Sequence, residues 1–228
     1  MTSPRERILA SLRDGLLRGR LPGHGGDLAG RATETPAAPT LAEMAEQFSA
    51  ALTGLSGHVH RASGTAAVAE IIEGLAREHR AGAFIGWDDE YLGCAGLAAA
   101  LAFRGLARVT YDVSDQPERR GADVQALAGI GLGLTGAHAA LADIGGLVLV
   151  SGPGRGRLAS VLPPVHVAVV NERRLRPSLA ALLREEPRLL DAGSNVVIVA
   201  GPSRTADIEM TLTHGVHGPK HVHVILTA

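Results

Sequence analysis

Cysteine is nearly absent: Cys94 stands alone among 228 residues. One thiol cannot form an internal disulfide, a thiolate zinc site or an iron–sulfur cluster within the chain, and such thiol usage suits a reducing, cytoplasmic compartment. Aromatic residues make up only 3%, too few for the exposed stacking platforms that grip single-stranded nucleic acid. Nor does one sign of charge prevail. Lys and Arg number 22 against 23 Asp and Glu, a net charge of -1, which argues against a protein that coats nucleic acid or an anionic membrane. No apolar run reaches the ~18 residues of a membrane span, and charges interrupt the N-terminal apolar stretch, unlike a signal peptide. What is present is 46% hydrophobic residues, mostly aliphatic, enough for one full core with an appendage.

The appendage comes first. Ile8, Leu9, Leu12, Leu16 and Leu17 recur at helical spacing with Arg5, Arg7, Arg13, Asp14 and Arg18 around the rest, so residues 1–20 read as an amphipathic helical arm. Residues 21–40 are rich in Gly, Pro, Thr and Ala without periodicity and read as a flexible linker. Residues 41–228 form the globular part. Helices are expected at 41–52, 65–79, 92–103, 178–186 and 205–212, and strands at 58–61, 83–87, 108–113, 146–151, 165–170, 195–200 and 221–227. Strands and helices alternate, and several strands are nearly continuous apolar runs of the kind buried on both faces of a parallel sheet. The fold class is therefore α/β with a mostly parallel sheet flanked by helices.

Such sheets bind ligands at the carboxyl ends of their strands, which draws attention to two glycine-bearing turns. After the 195–200 run comes Gly201-Pro202-Ser203-Arg204-Thr205-Ala206-Asp207-Ile208-Glu209. With a helix starting there, free amides, the Ser203 and Thr205 hydroxyls and the Arg204 guanidinium would receive an anion, and Asp207 or Glu209 would orient the basic groups. Ordinary helix capping accounts for the same residues. His217, Gly218 and Lys220, in a compact turn beyond, are expected at the same mouth. The other turn, Gly152-Pro153-Gly154-Arg155-Gly156-Arg157, has the glycines and arginines of a phosphate cradle, yet fits neither the P-loop nor the dinucleotide fingerprint, and also reads as a solvated turn. Asp143 precedes a buried strand, where it either serves a site or caps a turn. The pairs His58/His60 and His221/His223 alternate along strands, but no carboxylate or cysteine accompanies them at metal-ligand spacing, so no metal is assigned. No cofactor is expected, and no catalytic residue is assigned.

The stretch GPSRTADIEMTLTHGVHGPKHVHVIL, with ALADIGGLVLV and GRLASVLPPVHVAVV before it, resembles the LUD domain family of bacterial lactate utilization proteins, in particular its stand-alone lactate utilization protein C branch. The likeness spans roughly residues 41–228. It implies a fold similar to the sugar-phosphate isomerase and CoA transferase-like superfamily. It also implies a role in oxidising L-lactate to pyruvate beside iron–sulfur sister subunits, the chain itself holding no cluster. The family's shared positions fall on Gly201, Ser203, Arg204, Thr205, Asp207, Glu209, Gly215, His217, Gly218, Pro219 and Lys220, with Asp143, Gly145, Leu162 and Pro163 upstream. Where relatives commonly carry Thr-Gly-Ser or Thr-Gly-Thr after the acidic residue, this chain has Ile144-Gly145-Gly146, without either hydroxyl. Two other functions fit the residues: a small-molecule enzyme of the isomerase or CoA transferase-like type that binds a phosphate or carboxylate, and an organic-acid-sensing regulatory module. A small anionic ligand is expected, nucleic acid is not, and the arm offers a route to a homodimer.

Overall fold

The computed structural model describes residues 4–18, 39–110, 116–206, 212–214 and 217–228. Contacts divide the chain into two units, residues 1–38 and 39–228. In the first unit, α1 (Pro4–Arg18) is the expected arm helix, with Ile8 and Leu9 exposed. The expected linker at 21–40 lies outside the described residues except for Pro39 and Thr40.

The second unit opens with α2 (Leu41–Gly54), which starts where Thr40 and Glu43 form a reciprocal capping box, an arrangement that satisfies two otherwise orphaned amides. There follow β1 (His58–Ala62), α3 (Gly64–Glu78), β2 (Ala83–Gly86), α4 (Leu97–Phe103), β3 (Ala107–Val109), α5 (Pro117–Leu127) and β4 (Leu132–Thr135). The chain continues through β5 (Ala139–Leu141), β6 (Gly146–Ser151), α6 (Leu158–Val161), β7 (Val165–Asn171), β8 (Leu175–Arg176) and α7 (Leu179–Glu185). It ends with β9 (Asn195–Val199), β10 (Arg204–Ala206), β11 (Leu212–His214) and β12 (His221–Thr227).

Six strands form the expected parallel sheet in the order β1-β12-β7-β4-β2-β3. Its centre is buried on both faces: every residue of β4 is buried, as are Val165 to Val170 and Val222 to Thr227. The chain runs outward from β2 to β3, then returns past β2 to β4, so the topological switch lies between β2 and β4.

Two expected strands are not in that sheet. β6 and β9 pair antiparallel in a four-stranded sheet of order β8-β5-β6-β9, where β5 also runs antiparallel to β6. For β6 the small sheet supplies the burial on both faces that its continuous apolar run signals, between two antiparallel neighbours, whereas β9 keeps Val197 and Ile198 exposed. One face (Ala140, Ala142, Leu147, Leu149) joins Met44, Phe48 and Leu52 of α2 in the main core. The other (Ala139, Leu141, Val148, Val150) packs on Leu182 of α7 and on Leu189. The small sheet leaves the carboxyl ends of β4 and β7, three residues separating each from β5 and β8 respectively.

The described residues of the helix expected at 205–212 lie in strands instead. Residues 204–206 and 212–214 pair as the antiparallel strands β10 and β11, and Asp207 and Glu209 lie outside the described residues. The reason is visible in the sequence: Ala206, Ile208, Met210 and Leu212 alternate strictly with polar residues, the period of a strand and not of a helix.

Candidate functional site

At the carboxyl edge beside the switch, a cleft of about 300 Å³ is lined by Gly86, Asp88, Arg108, Thr110, Gly152, Gly154 and Gly156. Each part is placed by a short, rigid connection. β2 ends at Gly86, and the next residue, Trp87, is 3% exposed, with its backbone amide on Leu134 of β4 at 3.0 Å. Its indole Nε1 donates to the Gly156 carbonyl at 3.1 Å, and the Asp88 amide donates to the Gly154 carbonyl at 2.8 Å. The glycine turn is thus bonded at two points to the end of β2.

Gly154 needs to be glycine. Its φ is +70°, and a Cβ there would overlap the Asp88 carboxylate and lie 3.1 Å from the Tyr91 ring, so any side chain meets both backbone strain and a filled space. The turn therefore leaves bare backbone facing the cleft, the feature by which glycine turns receive oxygen anions.

The charge comes from β3. Arg108 donates through Nη2 to the Gly86 carbonyl at 3.2 Å and to the Asp88 carboxylate, which leaves the guanidinium anchored at the cleft. Its Nε is buried without a partner among the described residues. A buried donor in that condition is costly unless something fills it. Asp88 and Arg108 are half and about a quarter exposed, so the pair is wet enough to open for a competing carboxylate.

Of the expected site residues, Gly152 lines this cleft. Arg155 faces elsewhere: its guanidinium lies 4.7 Å from the centroid of Tyr91 and lines a smaller cavity of about 50 Å³ with Glu90, His138 and Arg174. In that cavity His138 Nε2 is 2.7 Å from Glu186 Oε2. Arg157 is exposed and precedes α6. Asp143 is exposed in the β5–β6 turn, the far end of a strand that spans roughly 20 Å at ~3.3 Å per residue, so it does not join the cleft.

The other expected group assembles at the opposite edge. The Ser203 amide donates to Pro219 at 2.9 Å, Gly218 sits against the Ser203 side chain, and the Lys220 amide donates to Pro164 at 2.8 Å, all at the amino end of β12. Ser203, Gly218 and Lys220 therefore do come together, with His217 exposed beside them. Arg204, however, is turned toward the end of α2, where it donates to the Leu55 carbonyl and, at 2.8 Å, to the Ser56 hydroxyl. Thr205 lies in β10.

Sequence reasoning missed Asp88 and Arg108. The signal was there: the 83–87 and 108–113 strands were legible as a βαβ unit, and the residues that follow the first strand, Trp87-Asp88-Asp89-Glu90, sit where open sheets bind ligands. The glycine turn drew attention to itself, while the strand ends that it covers did not.

Fold and cleft define a class: an α/β protein with a Rossmann-like parallel sheet and a ligand-sized cleft at its switch point. The chain belongs to the LUD domain family, whose model matches residues 45–227. It is 33% identical over 154 residues to lactate utilization protein C of Halalkalibacterium halodurans, a match covering 66% of this chain and 64% of that protein. To lactate utilization protein C of a Geobacillus species it is 31% identical over 168 residues, covering 69% and 68% of the two chains. The crystal structure of a DUF162 family protein from Deinococcus radiodurans superposes with a TM-score of 0.59 at 18% identity, covering 83% of this chain and 99% of that one. That likeness bears on fold alone. No described helix is long and apolar enough to cross a membrane.

Proposed function

We propose that this chain is a cytoplasmic component of an L-lactate utilization system, and that its cleft receives a small carboxylate or phosphate anion between Arg108 and the Gly152–Gly156 turn. The single observation that carries the ligand assignment is Arg108, a guanidinium anchored at the switch-point cleft with a buried, unpartnered Nε. The named relatives support the metabolic setting. In that system L-lactate loses two electrons and two protons to become pyruvate. With one cysteine, this chain holds no cluster of its own, so the electrons leave through iron–sulfur partner subunits. The exposed Ile8 and Leu9 of α1 are the contact offered to such a partner or to a second copy. The 203–220 motif serves in this reading to tie β10 and the turn before β12 to the end of α2. Co-expression with cysteine-rich partners is the test: lactate oxidation should require this chain and fall at least tenfold with Arg108→Ala. Full activity without the chain would overturn the assignment.

A further inference from the structure

Five of the ten histidines crowd one face of the parallel sheet, well away from the cleft. His58 and His60 come from the edge strand β1, His221 and His223 from β12, and His79 from the end of α3. His58 and His223 are register partners, and their rings stack at 4.7 Å. His60 stacks on His223 at 5.4 Å and shares a hydrogen bond with it at 3.1 Å. His79 lies 4.6 Å from His221 and 5.9 Å from His223. His223 is 5% exposed, and its Nε2, like that of His79, is buried with no partner among the described residues.

His60 Nε2 and His223 Nδ1 are engaged with each other in their hydrogen bond, and no group of three or more His, Cys, Asp or Glu converges to hold a metal ion among the described residues. The cation that this cluster can acquire is the proton, and there is little to stabilise it. Glu78 on α3 favours charge on His60 and His221, Lys220 disfavours it on His221, and the histidines disfavour it on one another. The β7 residues beside His221 and His223 are Val165 and Val167. Burial first, then the neighbouring rings, push His223 down to about 3, and the same causes lower His60 and His221.

We propose that this histidine stack is an acid-sensitive latch, holding β1 and the end of α3 on the sheet while the rings are neutral and releasing them when the rings charge. β1 is suited to release because it is an edge strand whose one ladder partner is β12. A native state that keeps a ring neutral binds fewer protons than the unfolded chain below about pH 6.5, so stability is lost as the pH falls. For one such ring, going from pH 7.5 to 5.0 raises the opening equilibrium roughly 30-fold.

Hydrogen exchange of the full chain at pH 7.5 and 5.0, corrected for intrinsic rates, tests this. Protection should fall at least tenfold in residues 58–62 of β1 and 79–81 at the end of α3, while the β6–β9 ladder keeps its own. His60→Gln/His223→Gln should suppress that loss. Should the pair fail to fold, His58→Asn, at an exposed position, should reduce it. Equal loss in both sheets, no loss in either, or an unchanged loss in the folded variant would overturn the proposal. So would a rise of several degrees in melting temperature on adding Zn²⁺ at pH 7.5, since that would make the cluster a metal site.

Discussion

Gly154→Ala and Gly152→Ala change neighbouring positions of one turn, and they should behave differently. At Gly154 the backbone is left-handed, with φ of +70°, which costs a residue with a Cβ about 1–2 kcal/mol. The new methyl also displaces the Asp88 carboxylate from Arg108. That charge-assisted bond would be worth up to ~3 kcal/mol if buried, but Asp88 is half exposed, and about 1 kcal/mol is the appropriate figure. The sum is about 2–3 kcal/mol, or roughly 4–12 °C for a domain of this size. Gly152 has no left-handed backbone, and its Cβ would meet only the far end of the Arg155 side chain, at 3.3 Å; the cost should stay below about 1 kcal/mol. Thermal unfolding followed by circular dichroism reads both. Equal losses for the two variants would refute the picture of a turn pressed onto Asp88.

Arg204→Ala removes the contacts to Leu55 and Ser56 and should lower stability by about 1 kcal/mol, while lactate oxidation in the reconstituted set stays within twofold of wild type; loss of activity without loss of stability would instead place the ligand at the 203–220 motif. Deleting residues 1–38, a separate unit, should leave the melting transition of the remainder cooperative and within a few degrees, and should abolish capture of the iron–sulfur partners; collapse of that transition would show that the arm belongs to the core.

Much of the sheet was legible because its strands carry their environment in their composition. The 165–170 run is apolar apart from His166, 221–227 carries Val222, Val224, Ile225 and Leu226, and both lie inside the parallel sheet, and the 65–79 helix shows its apolar stripe. β6 is equally apolar, but apolarity reports burial on two faces and says nothing of strand direction. That is why the four-stranded sheet had to be seen to be known. α5 escaped notice because Glu118, Arg119, Arg120, Gly121 and Asp123 fill its first turns and leave Val124 and Leu127 as its large apolar positions. β4 escaped because two of its residues, Gly133 and Thr135, lack the branched aliphatic signature. The same limits explain the site. A glycine turn announces itself, whereas Arg108 in a three-residue strand looks like any surface arginine until its side chain is found on the Gly86 carbonyl and the Asp88 carboxylate.

Trp87 offers the most direct measurement. It is the chain's one tryptophan; it lines the adjoining cavity of about 50 Å³ and is bonded to Gly156, which lines the cleft, so its emission reports on that wall from behind. Titration with L-lactate, pyruvate and inorganic phosphate should produce a saturable fluorescence change with at least one of them. Arg108→Ala should weaken it tenfold or more, and Arg204→Ala should leave it unchanged. A saturable change that survives Arg108→Ala and disappears with Arg204→Ala, or no change with any of the three anions, would contradict an anion site at the switch-point cleft.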